Sequence, residues 1–187
     1  MKSGYRVLMS THSVQNSRLE APYWKRTWAV EVPTKVRNFV WRACTGCLPT
    51  MVALRSRRVD VASHCPVCRN VPEDTFHALV KCYQAKQVWR LTPVGDIFGV
   101  VHSFVDWWRQ ILKKQNMDVV VQVAMTLWSI WKGRNDLIWK GIVSKANQII
   151  YNAGNFLAQW QYAKLKDQMM GTSVEIEPCL KWSKPGQ

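Results

Sequence analysis

Residues 65–82 read CPVCRNVPEDTFHALVKC. Two residues separate Cys65 from Cys68, eight separate Cys68 from His77, and four separate His77 from Cys82. Three thiols and one imidazole are the donor set that zinc takes in a tetrahedron. The Pro66-Val67 turn can present two sulfurs to one ion, and His77 and Cys82 can close the shell from the other side. Four protein ligands leave no open position for water, so such a site is structural rather than catalytic. The intervening loop has too few apolar residues to order itself. Glu73, four residues before His77, is expected to cap a helix start or to hydrogen-bond the free imidazole nitrogen. Phe76 and Leu79 are expected to dock this segment on neighbouring helices.

Two nearby groups compete for the same chemistry. His64 adjoins Cys65, and adjacent backbone positions make joint coordination awkward. Cys44 and Cys47 also have metal-like spacing, but they lie on an expected amphipathic helix, where burial is the better account.

Outward from the cluster the pattern is helical. Val36, Phe39, Val40 and Ala43 recur at helical spacing between Pro33, which suits a first turn, and Gly46, which suits a stop. Thr50 opens a short helix that ends in Arg55-Ser56-Arg57-Arg58. Further helices are expected from about Glu73 and from Tyr83 to Leu91. Thr92-Pro93 and Gly95 then break the pattern. Phe104, Trp107, Trp108 and Ile111 mark the next helix, with Trp41 also expected in the core. Val120, Ala124, Leu127, Trp131 and Ile138 form one stripe of a long helix from Asp118 to Lys140. Ser144 can cap a last one carrying Ile149, Ala153, Phe156 and Trp160. The expected fold is mostly α: a helical domain with one zinc-clamped irregular segment, followed by a long-helix region. Its expected divisions are an edge segment at 1–19, a zinc domain at 20–91, a connector at 92–101, a helical region at 102–170 and a linker at 171–187.

The formal charge of +14 over 187 residues attracts polyanions. Residues 1–64 hold eleven Lys or Arg against three acids. Arg26, Lys35, Arg37, Arg42, Arg55, Arg57 and Arg58 are therefore the candidates to face RNA or DNA. No apolar leader occupies the first thirty residues, and Val119 to Trp131 is too short to cross a bilayer, which needs about 20 apolar residues. Six cysteines without a leader suggest an intracellular chain, with the nucleus as the expected compartment. No phosphate loop, Gly-x-Ser-x-Gly elbow or His-Glu-x-x-His helix occurs, and the twelve acids form no cluster for two-metal chemistry. The chain is expected not to be an enzyme and to take no small-molecule substrate.

Trp24-x3-Trp28, Pro33-Thr-Lys-Val-Arg37, Phe39-Val-Trp-Arg-Ala43, Leu48-Pro-Thr50 and Leu54-x2-Arg57 run into the Cys/His cluster and on to Val88-Trp89. This order resembles the reverse-transcriptase zinc-binding domain of plant non-LTR (LINE-type) retrotransposons. Ser3-Gly-Tyr-Arg6 resembles the segment before that domain, Trp128-Ser-Ile-Trp-Lys-Gly-Arg-Asn135 the helical region after it, and Lys181-Trp-Ser-Lys-Pro185 the lead-in to a ribonuclease H domain. The resemblance implies a fragment lying between polymerase and ribonuclease H, holding one structural Zn2+ and contacting nucleic acid. The alternative is a scaffold or an inert truncated remnant whose zinc only holds the fold.

Overall fold

A computed structural model describes residues 17–95 and 101–171, and the side chains of 23–95 and 101–169. The edge motif at Ser3, Cys179 and the Lys181–Pro185 motif lie outside the described residues, as does nearly all of the expected linker. The helices are α1 (Ser17–Trp28), α2 (Thr34–Cys44), α3 (Met51–Ser56), α4 (Tyr83–Trp89), α5 (Phe104–Lys114), α6 (Met117–Lys140) and α7 (Ala146–Gly171). A π-helical turn spans His77–Lys81. Among the described residues the only strand-like pairing is a bridge between His64 and Pro72. The fold is mostly helical, as the apolar spacing implies.

Local chemistry sets the helix ends. Pro33 precedes α2, and its carbonyl takes the amides of Val36 and Arg37; past the other end Gly46 adopts a left-handed φ of 66°. The Thr50 hydroxyl accepts the Ala53 amide at 3.3 Å and starts α3. Ser103 and Asp106 cap α5 reciprocally, the Ser103 hydroxyl taking the Asp106 amide and donating to its carboxylate. Asn116 caps α6 through the Val119 amide, and Gly141 ends it with φ of 66°. The last helix begins at Ala146, so Ser144 is not its cap; its carbonyl instead accepts the Gln84 amide.

The long helix α6 is the spine, contacted by α2, α5, the π turn and α7. Val36, Phe39, Val40 and Ala43 are all buried, as are Phe104, Trp107, Trp108 and Ile111. Val120, Ala124, Leu127 and Trp131 are buried on α6, with Ile138 half-buried. Trp41, expected in the core, is only half-buried, because it flanks the apolar stripe of α2. Residues on both sides of the 92–101 connector share one hydrophobic core. Trp89 lies 5.3 Å from Trp107, and the Trp108 indole donates to Thr27 of α1.

Among the described residues one buried ion pair crosses this core. Arg134 of α6 grips Glu73 with two N–H donors, Nε to Oε1 at 2.9 Å and Nη2 to Oε2. Glu73 has 0% exposure and Arg134 6%. The same carboxylate accepts the Met51 amide at the start of α3, and the Arg134 guanidinium lies 4.7 Å from the Trp131 ring. Removing one partner of a buried pair strands the other charge, at a cost of about 3–5 kcal/mol. Arg134→Met is therefore expected to lower the unfolding free energy of the zinc-loaded chain by about that amount in urea titrations. Lys140→Met, which breaks an exposed pair with Asp136, should change it by no more than about 1 kcal/mol.

Candidate metal centre

The metal-binding segment hangs between α3 and α4. Residues 63–73 fold back on themselves: the Cys65 amide donates to the Val71 carbonyl, and the Glu73 amide to the Ser63 carbonyl. Within that loop the Arg69 amide bonds the Cys65 carbonyl at 2.8 Å, and Arg69 takes a left-handed φ of 59°. This tight knuckle aims the Cys65 and Cys68 sulfurs at one point.

The other two donors come from the π turn. Positions five apart on an α-helix face roughly 140° away from each other, too far round to share an ion. Here the Cys82 amide bonds the His77 carbonyl at 2.7 Å, a five-residue closure that brings both residues to one side. The start of this turn is capped by Asp74, whose carboxylate accepts the His77 amide at 2.6 Å. Glu73 neither caps it nor serves the imidazole: its oxygens are taken by Arg134 and the Met51 amide. That corrects the expectation for Glu73, and the reason is burial, which forces a full cationic partner on it.

The four donor atoms of Cys65, Cys68, His77 and Cys82 all lie within 4.8 Å of one another. Cys65 Sγ and Cys82 Sγ are 3.9 Å apart, and Cys68 Sγ and His77 Nε2 3.3 Å. Ligands at zinc distances on a tetrahedron stand roughly 3.5–3.8 Å from each other. The donor set and its spacing fit zinc. Cys65 and Cys82 are buried, while Cys68 and His77 are half-buried. Phe76 and Leu79 are buried and seat the turn on the core, as expected.

The hydrogen bond between the Cys65 and Cys82 sulfurs, together with burial, pushes the Cys65 thiol up to about 12, and the same bond lowers Cys82. His77 is raised chiefly by its hydrogen bond with Cys65, against the pull of burial. A divalent ion replaces those protons, so metal affinity falls as pH falls.

His64 is exposed and outside the cluster. Cys44 closes α2, half-buried, with the Tyr23 hydroxyl donating to its sulfur at 2.9 Å; burial pushes its thiol up to about 12. Cys47 lies beyond the helix end, so helical burial describes Cys44 but not Cys47.

Residues 1–89 match the model of the family described as zinc-binding in reverse transcriptase. The matched segment contains all four candidate ligands and Glu73, and it ends with α4. Arg134, which holds Glu73 in place, lies 45 residues beyond it. No curated protein and no solved structure matches the chain.

The seven expected basic residues sit on or at the ends of three helices, α1, α2 and α3. Arg55, Arg57 and Arg58 stand together, exposed, at the end of α3, and Arg26 is exposed at the end of α1. Arg37 donates to the Trp28 carbonyl and Arg42 to the Cys47 carbonyl, so both also serve the fold. Lys35 sits 4.4 Å over the Phe156 ring of α7. Among the described residues none of these seven side chains forms an ion pair.

Arg134 was findable. It falls on the stripe of Leu127 and Trp131, and a cation on an apolar stripe demands a buried carboxylate. The π turn also left a trace, since His-x4-Cys cannot ligate from one regular α-helix. His77→Ala and Cys68→Ser are each expected to release the metal, measured by a chromophoric zinc chelator. Amides of residues 60–90 should then exchange hydrogen at least tenfold faster, while those of α6 stay protected.

Proposed function

We propose that this chain is a non-catalytic module of a non-LTR retrotransposon reverse transcriptase, of plant type. In the parent protein it lies between the polymerase and ribonuclease H domains. One zinc ion held by Cys65, Cys68, His77 and Cys82 clamps the loop, and the exposed arginines at the end of α3 contact RNA or DNA.

The observation that carries this reading is the closed donor set. Four protein ligands gather around one point and leave no coordination position for a substrate or a water. The ion's chemistry is then cross-linking: it ties the knuckle to the π turn and so presents the neighbouring basic surface. The match of residues 1–89 to a reverse-transcriptase zinc-binding family supports the origin, and the Trp128–Asn135 resemblance supports the placement. The charge of +14 supports a polyanionic partner. No helix among the described residues is long and apolar enough to cross a membrane. The nucleus is the compartment that suits such a module.

Phosphate contacts make binding steeply salt-dependent and weakly sequence-specific. The zinc-loaded chain should carry one zinc per chain by mass spectrometry under native conditions. It is expected to bind single-stranded RNA or DNA with micromolar affinity at low salt. Replacing Arg55, Arg57 and Arg58 together by alanine should weaken binding at least tenfold and reduce the log–log salt slope by about 2. Absence of binding at 50 mM salt would leave a scaffold whose zinc serves only the fold.

A further inference from the structure

A groove of about 410 Å³ runs between α6 and α7 and is edged by α2. Its size lies within the roughly 300–1,000 Å³ range of small-ligand sites. Trp128 and Phe156, both half-buried, place two aromatic rings in its wall. Trp128 is braced edge-on by Phe39 at 5.4 Å, and the Lys35 ammonium rests on Phe156. Lys35 and Lys132 give the rim two cations, and no carboxylate lines the groove. Asp136, outside it, is shared between Lys132 and Lys140, which leaves that trio positive. Asn152, Asn155 and Gln159 project from the α7 side. The amide of Asn152 is engaged by Gln148, whereas those of Asn155 and Gln159 make no hydrogen bond among the described residues.

Each of these chemistries suits a different part of one ligand. Rings stack on base faces, carboxamides pair with base edges as both donor and acceptor, and ammoniums neutralise phosphate. A lipid tail would leave the two carboxamides unanswered, and the two rim lysines, with no lining carboxylate and a chain charge of +14, favour a polyanion over a neutral peptide. We propose that this groove takes one or two nucleobases of a single-stranded nucleic acid, read by Asn155 and Gln159 and anchored at its phosphate by Lys35. The inference rests on the nucleic-acid reading above and moves base contact away from the zinc loop. The metal segment and the α3 arginines then supply backbone affinity only.

The test uses the full zinc-loaded chain and an oligouridylate 12-mer carrying one central 4-thiouridine. Cross-linking at 365 nm is expected to join the probe to peptides containing Trp128 or Phe156. A 12-mer with two central abasic sites should bind about tenfold more weakly. Asn155 and Gln159 are exposed, so the Asn155→Ala, Gln159→Ala double variant should keep its fold, checked by circular dichroism. It should bind the intact probe about tenfold more weakly and the abasic one unchanged. Tight binding with cross-links confined to residues 50–60, and equal affinity for the double variant, would overturn the groove while leaving the nucleic-acid reading intact. No binding of either probe at 50 mM salt would overturn both.

Discussion

The Glu73 carboxylate has no access to water, and two N–H groups of Arg134 together with the Met51 amide stand in for its hydration shell. A lone carboxylate in that position would be intolerable; a paired and hydrogen-bonded one is not. Because Glu73 belongs to the irregular loop, Met51 to α3 and Arg134 to α6, the requirement to satisfy one buried charge sets three segments against each other. The polar pair adds less to net stability than an apolar contact of equal size could, but it restricts the arrangement of the loop. Such directional demand is what a segment with few apolar side chains needs.

The ion and the salt bridge divide the labour. Zinc would act inside the segment, where Cys65 and Cys68 of the knuckle and His77 and Cys82 offer donors that already lie within 4.8 Å. Glu73, sitting in sequence between the two ligand pairs, acts outward and docks the closed segment on the spine. Phe76, Leu79 and Trp89 then fill the interface behind it, the Trp89 indole donating to the Leu79 carbonyl at 2.9 Å. The family match ends at residue 89, yet the guanidinium that positions its buried acid lies on α6. The matched segment and the long-helix region are thus coupled through a charge pair as well as through a shared core.

Much of this was readable in advance, because apolar periodicity reports directly on which side chains must leave water. The stripe of α2 between Pro33 and Gly46, and the Phe104 to Ile111 face of α5, are buried as their spacing requires. The four metal ligands converge because their chemistry and spacing admit one good solution. What escaped is what depends on partners distant in sequence. Helix α1 carries Pro22, which argues against a helix interior, and it owes its place to Tyr23 and Thr27 packing under α5. Glu73 looks like a cap or an imidazole partner locally, and only the position of Arg134, 61 residues away, assigns it otherwise. The break at 92–101 reads as a boundary, whereas Trp89 and Trp107 meet across it. Turn residues mark where the backbone bends and carry no information on whether the two sides part.

The order of residues 63–82 rests on the zinc clamp, because the loop has few apolar side chains of its own to hold it. Zinc K-edge X-ray absorption on the purified, reduced chain tests it most directly. The account predicts a first shell of three sulfurs near 2.3 Å and one imidazole nitrogen at about 2.0–2.1 Å. A shell dominated by oxygen or by several imidazoles, or protein that retains no zinc after purification, would contradict it.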